Sequence, residues 1–139
     1  MRVPHIVLIE DNPGDVMLVR LALEENGIPH TLTQYSSGAD AVHTLCDAPA
    51  DSTPVPDVIL LDLNTPHMDG FDAVRKFNLS PQFSQVPLAI LTSSRARSDK
   101  HRAELLGARF IEKPTQLDDF LSSVGNAVKE MLERVTATL

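Results

Sequence analysis

The chain holds a single cysteine, Cys46, in 139 residues, so no internal disulfide can form. Basic residues are the minority: 12 Lys and Arg stand against 19 Asp and Glu, for a net charge of -7 and a pI near 5.0. That balance argues against nonspecific nucleic-acid binding and against docking on anionic lipid, both of which need a positive surface. No apolar run approaches the roughly 20 residues of a membrane span. The opening "MRVPHIVLIED" has too short an apolar segment, stopped by acids, for a signal peptide. The five histidines, His5, His30, His43, His67 and His101, have no metal-ligand spacing. Together these absences predict a reduced, cytoplasmic protein with no nucleic-acid and no membrane partner.

What is present is an alternation. "HIVLIE" (residues 5–10) is a short apolar strand, and "DNPGD" is a cap-and-turn cluster that opens a helix closed by Gly27. "HTLTQYS" alternates as a half-exposed edge strand does. A short helix over 37–47 and a proline-rich loop over 48–57 lead to "VILLD". Then come a helix over 70–78, the loop "SPQFSQ", the strand "VPLAILTSS", a helix over 99–106, the strand "ARFIEKP" and a final helix over 116–135. Strand and helix alternate five times, which predicts an α/β fold with a doubly wound, five-stranded parallel sheet in a single domain over 1–139. The apolar first, third and fourth strands belong in the centre, giving the order 2-1-3-4-5. In such a sheet the crevice lies beyond the carboxyl ends of strands one and three.

Strand one ends in Glu10 and Asp11, and strand three ends in Asp62. Three carboxylates converging at one crevice repel one another unless a cation fills the site. All-oxygen ligands in an open, hydrated site favour Mg2+. Strand four delivers the hydroxyl of Thr92 and strand five the ammonium of Lys113. A metal, a hydroxyl and an ammonium around one carboxylate are the parts needed to stabilise a phosphoryl group moving onto Asp62.

These motifs resemble the receiver domain of two-component response regulators, over about residues 5–131. "IED" resembles the family's acidic pair, "LLDLNTPHMDG" its acceptor loop, "LTSS" its hydroxyl switch and "FIEKP" its lysine-proline pair. The resemblance implies a flavodoxin-like receiver fold with five helices and phosphorylation of Asp62 by a sensor histidine kinase. It implies Mg2+ held by Asp11, Asp62 and the backbone carbonyl of Asn64, with Glu10 acting through water. Thr92 and Lys113 would contact the phosphoryl oxygens, and Phe110 would be the aromatic switch partner of Thr92. "IEDNPGDV", the proline-rich loop and "KPTQLDDF" resemble the small stand-alone receivers paired with bacterial phytochrome kinases, which makes a bacteriophytochrome the implied kinase. Thr115 departs from the aromatic residue that many receivers place after the Lys-Pro pair.

The implied function is a stand-alone switch without an output domain, not an enzyme in the turnover sense. It would act on a downstream protein or hand its phosphate to a phosphotransfer protein. A phosphorylation-independent pseudo-receiver adaptor is the alternative, although that class usually loses the acceptor or the lysine. An aspartyl-nucleophile phosphatase would place an acid two residues after the nucleophile, where this chain has Asn64. Three further expectations attach to side chains. Phe110, lacking a hydroxyl, is expected to lean inward before phosphorylation. In the first helix, Val16, Val19 and Leu23 share the core stripe, leaving Met17, Leu18 and Leu21 for another surface, where Leu18 is expected to help dock the kinase. Leu121, Val124, Val128, Met131 and Val135 form a heptad seam, extended backwards by Leu117, that predicts a homodimer through the C-terminal helix.

Overall fold

The structure, a computed structural model, describes residues 3–49 and 54–137, with side chains described through residue 134. Ten elements alternate along the chain: β1 (His5–Ile9), α1 (Pro13–Glu25), β2 (Thr31–Tyr35), α2 (Gly38–Leu45), β3 (Val58–Leu61), α3 (Gly70–Leu79), β4 (Leu88–Thr92), α4 (Arg97–Leu105), β5 (Arg109–Glu112) and α5 (Leu117–Ala137). Every strand pairing is parallel, and the order is β2-β1-β3-β4-β5, as expected from the sequence. The three central strands are β1, β3 and β4, whose residues are almost all buried. In β2 every residue stays at least partly exposed, which suits the edge.

Successive side chains on a strand point to opposite faces, so each central strand feeds two cores. Val7, Ile9, Ile59 and Leu61 pack under α2, α3 and α4. Ile6, Leu8, Val58 and Leu60 pack under α1 and α5. Local sequence fixes where the helices begin. Asn12 caps α1 by accepting hydrogen bonds from the backbone N–H groups of Gly14 and Asp15, and Pro13 opens the first turn. Asp69 caps α3 through Phe71 N–H. Gly70 follows because a Cβ there would run into the backbone of Leu63, so the acceptor loop can fold back only on glycine.

Two sequence expectations are corrected by packing. The buried stripe of α1 is Val19, Ala22 and Leu23, with Val16 and Leu18 packed at the edge of the same core. Leu18 is therefore partly core, and the apolar side chain that α1 leaves in solvent is Met17, at 71% exposure. Three heptad positions of α5 are consumed inside the protomer: Val124, Val128 and Met131 are buried against α1 and the sheet, with Leu121 packed at the edge. The stretch from Val124 to Met131 therefore needs no second copy to cover it, while Leu117 stays 52% exposed. Val135 and Leu139 lie outside the residues whose side chains are described. The stretch "SPQFSQ" is loop, as expected, and it is anchored by Phe83, buried edge-on against Phe77 with ring centroids 5.8 Å apart.

Candidate functional site

Beyond the carboxyl ends of β1 and β3, Glu10, Asp11 and Asp62 come together. Each offers an oxygen within 4.8 Å of the others. The backbone places them there. Asp62 N–H donates to the carbonyl of Ile9, and Glu10 N–H donates to the carbonyl of Tyr35, so the sheet ladder extends one residue past each strand. Asp11 is exposed, whereas Glu10 and Asp62 are buried. The cluster is thus closed at its floor and open on one side.

Lys113 reaches into this cluster from the end of β5, with its side chain only 11% exposed. Its Nζ donates to Glu10 Oε1 at 2.7 Å, to Asp15 Oδ2 at 2.7 Å and to Asp62 Oδ2 at 3.3 Å. The other Asp62 oxygen, Oδ1, accepts from the backbone N–H of Asn64 at 3.2 Å. Thr92 is fully buried, and its Oγ1 accepts from Ser94 N–H at 3.2 Å. The β4 and β5 ends are tied together by Lys113 N–H donating to the Thr92 carbonyl at 2.7 Å.

The electrostatics of the pocket are displaced as crowded carboxylates require. Burial raises the Glu10 carboxyl to about 7, with the hydrogen bond from Lys113 opposing and the charge of Asp62 adding to the rise. Burial alone would lower the Lys113 ammonium. The hydrogen bonds to Asp15 and Glu10 and the charge of Asp62 outweigh it, and Lys113 is raised and stays charged. One ammonium does not balance three carboxylates, so the charge of Asp62 adds to the rise that burial gives Glu10. The donor set is all oxygen, with one open side, and that fits a hard divalent cation such as Mg2+.

The chain matches the response regulator receiver domain over residues 6–125. It belongs to that family. One relative is Response regulator Rcp1 of Synechocystis sp., 31% identical over 133 residues that cover 94% of this chain and 90% of that protein. Another is protein PilH of Pseudomonas aeruginosa, 28% identical, covering 89% of this chain and 96% of that one. Among solved structures, the phosphorylated cyanobacterial phytochrome response regulator RcpA superposes with a TM-score of 0.84 at 28% identity, covering 94% of this chain and 95% of that one. The Mn2+-bound form of Rcp1 superposes with a TM-score of 0.83 at 29% identity, with the same coverage. The receiver described here is thus homologous to phytochrome response regulators.

Of the site residues expected from the sequence, Glu10, Asp11, Asp62 and Lys113 form one contact group in this receiver. Asn64 is exposed and joins the group through its backbone N–H on Asp62. Phe110 is half-buried and packs against the α2–α4 core. His67, in the acceptor loop, takes a left-handed backbone conformation with φ 72°. Cys46 sits half-buried at the core edge, where burial pushes its thiol up and away from the reactive thiolate. Asp15 was not among the residues expected, yet it holds Lys113 as closely as Glu10 does. The spacing "DNPGD" marks where Asp15 falls but not what it touches. An N-cap at Asn12 puts Asp15 on the first turn of α1, four residues after Asp11 and facing the crevice.

Proposed function

We propose that this receiver accepts a phosphoryl group on Asp62 from a sensor histidine kinase and so switches its protein contacts. The observation that carries the reading is the buried Asp62 carboxylate held between an ammonium and two further carboxylates at the sheet's switch point. An Asp62 oxygen attacks the phosphorus of a phosphohistidine. The new P–O bond forms as the P–N bond breaks, and the histidine nitrogen leaves with the electron pair. Mg2+ held by Asp11, Asp62 and the Asn64 carbonyl, with Glu10 through water, would neutralise the phosphoryl charge. Lys113, already bonded to Asp62 Oδ2, would donate to a phosphoryl oxygen, and the Thr92 hydroxyl, which only accepts from Ser94 N–H, would donate its proton to another. An inward turn of Thr92 would free space for Phe110, which already leans on the core.

The kinship with phytochrome response regulators makes a bacteriophytochrome-type kinase the favoured donor. Output would then pass to a downstream protein or a phosphotransfer protein. The phosphorylated state of RcpA and the metal-bound state of Rcp1 support acceptor and metal alike for this chain. The test is phosphotransfer from a phosphorylated sensor kinase, with Mg2+, to the wild-type protein and to Asp62→Asn. Transfer to the wild type that is lost in the variant is the expected result. Equal transfer to both would place the acceptor elsewhere. No transfer from any donor would favour a phosphorylation-independent adaptor.

A further inference from the structure

Lys113 is held by three carboxylates of two kinds. Glu10 belongs to the acidic cluster with Asp11 and Asp62, whereas Asp15 does not. Asp15 meets Lys113 from the first turn of α1, at 2.7 Å, with its side chain 27% exposed. Its own position is set by the Asn12 cap, which accepts from Asp15 N–H at 3.2 Å. The ammonium has three protons, and all three are directed at carboxylates: Glu10, Asp15 and Asp62.

These partners will not all stay available. A cation entering the acidic cluster draws on Glu10 and Asp62, and a phosphoryl group on Asp62 replaces that carboxylate's free charge. Asp15 is the partner that neither event consumes. We propose that Asp15 is a positioning residue, which holds Lys113 over the acceptor while its other two partners are taken up. This inference rests on the phosphoacceptor reading for its consequence, but not for the contact itself.

The role differs in sign from that of a bystander charge. A carboxylate near the site that acts only through its charge repels an anionic phosphodonor, so its removal speeds labelling. A carboxylate that places the lysine helps the reaction, so its removal slows labelling. Asp15→Asn keeps the shape of the side chain at a partly exposed position and removes the charged acceptor.

The experiment has two arms on the full chain. In the first, NMR of 15N-lysine-labelled, metal-free protein follows the Lys113 ammonium resonance, assigned by its loss in Lys113→Met. The resonance is expected to shift or broaden in Asp15→Asn while the remaining lysine resonances stay in place. An unchanged Lys113 resonance would overturn the contact and with it the proposal. In the second arm, acetyl phosphate and saturating Mg2+ label the wild type, Asp15→Asn, Lys113→Met and the double variant. Asp15→Asn is expected to slow labelling roughly fivefold, the scale of one partly exposed charge-assisted hydrogen bond, and to add nothing once Lys113 is Met. Faster or unchanged labelling in Asp15→Asn, or an equal slowing in the Lys113→Met background, would overturn the positioning role. A wild type that takes up no phosphate would defeat the phosphoacceptor reading and the positioning role that depends on it, while the resonance arm still reports separately on the contact.

Discussion

Glu10 is the residue whose protonation the fold displaces most toward neutral pH. Its carboxyl is raised from 4.5 to about 7, chiefly by burial. Between those values the folded protein binds a proton that the unfolded chain has released, so stability falls as pH rises. The contribution is fully present below about pH 4.5 and lost as pH climbs through about 7. Lys113 is charged in both folded and unfolded states across that window and leaves the slope unaltered. A shift of this size corresponds to on the order of 3 kcal/mol. Denaturant melts of the metal-free protein should therefore show stability decreasing through this range. Glu10→Gln should flatten that decrease, and an equal slope in the variant would assign the pH dependence to other groups. The acidic residues at the strand ends were legible in the sequence because each strand is bounded by its own apolar run. Asp15 was not, because its role depends on how far Lys113 reaches across the crevice from β5, and no local pattern encodes that reach.

At the scale of elements, α1 and α5 are joined by a contact that only one residue pair permits. The Asn26 amide, at the end of α1, donates to the carbonyls of Ala22 and Leu121 at 2.7 and 3.0 Å. It does so by lying against Gly125 of α5, where a Cβ would overlap the amide. Gly125→Ala should force Asn26 to give up both bonds and cost about 1–3 kcal/mol in a thermal or urea melt, although alanine is the better helix former. A neutral or stabilising result would mean that the Asn26 side chain turns aside without net penalty. On α1 itself, Leu18→Ala should lower stability by about 1–2 kcal/mol through lost burial, whichever phosphodonor is used afterwards. Met17→Ala should stay within about 0.5 kcal/mol of the wild type. If α1 docks the kinase, Met17→Ala should slow transfer from it and leave acetyl phosphate labelling unchanged. Equal rates with the kinase would remove Met17 from the docking surface. Element order and type were readable because strand and helix periodicities differ. The core stripe of α1 was readable as Val16, Val19 and Leu23, but that Leu18 joins it and that the α5 seam serves the protomer's own core was not, because both helices are apolar over more than one stripe.

For the whole molecule, the same ambiguity bears on assembly. A heptad seam and a core-facing stripe have the same spacing, and Val124, Val128 and Met131 serve the protomer's own core. Ending the chain at Lys129 should therefore lower the melting temperature, since it removes buried Met131, and leave the mass measured by light scattering that of the same oligomer. A truncated protein that instead melts like the full chain but changes from dimer to monomer would restore the C-terminal helix as a dimer interface. The sheet order, by contrast, was legible from burial alone: three nearly continuous apolar strands must lie inside, and that places Glu10, Asp62, Thr92 and Lys113 at one end.

The central claim is that this end of the sheet makes Asp62 a phosphoacceptor, and intact-mass spectrometry after acetyl phosphate and Mg2+ tests it most directly. The wild type should gain the mass of one phosphoryl group, and should gain none when the metal is chelated. Asp62→Asn should gain none under either condition. A mass gain that persists in Asp62→Asn, or a wild type that stays unmodified with metal and donor in excess, would contradict the account.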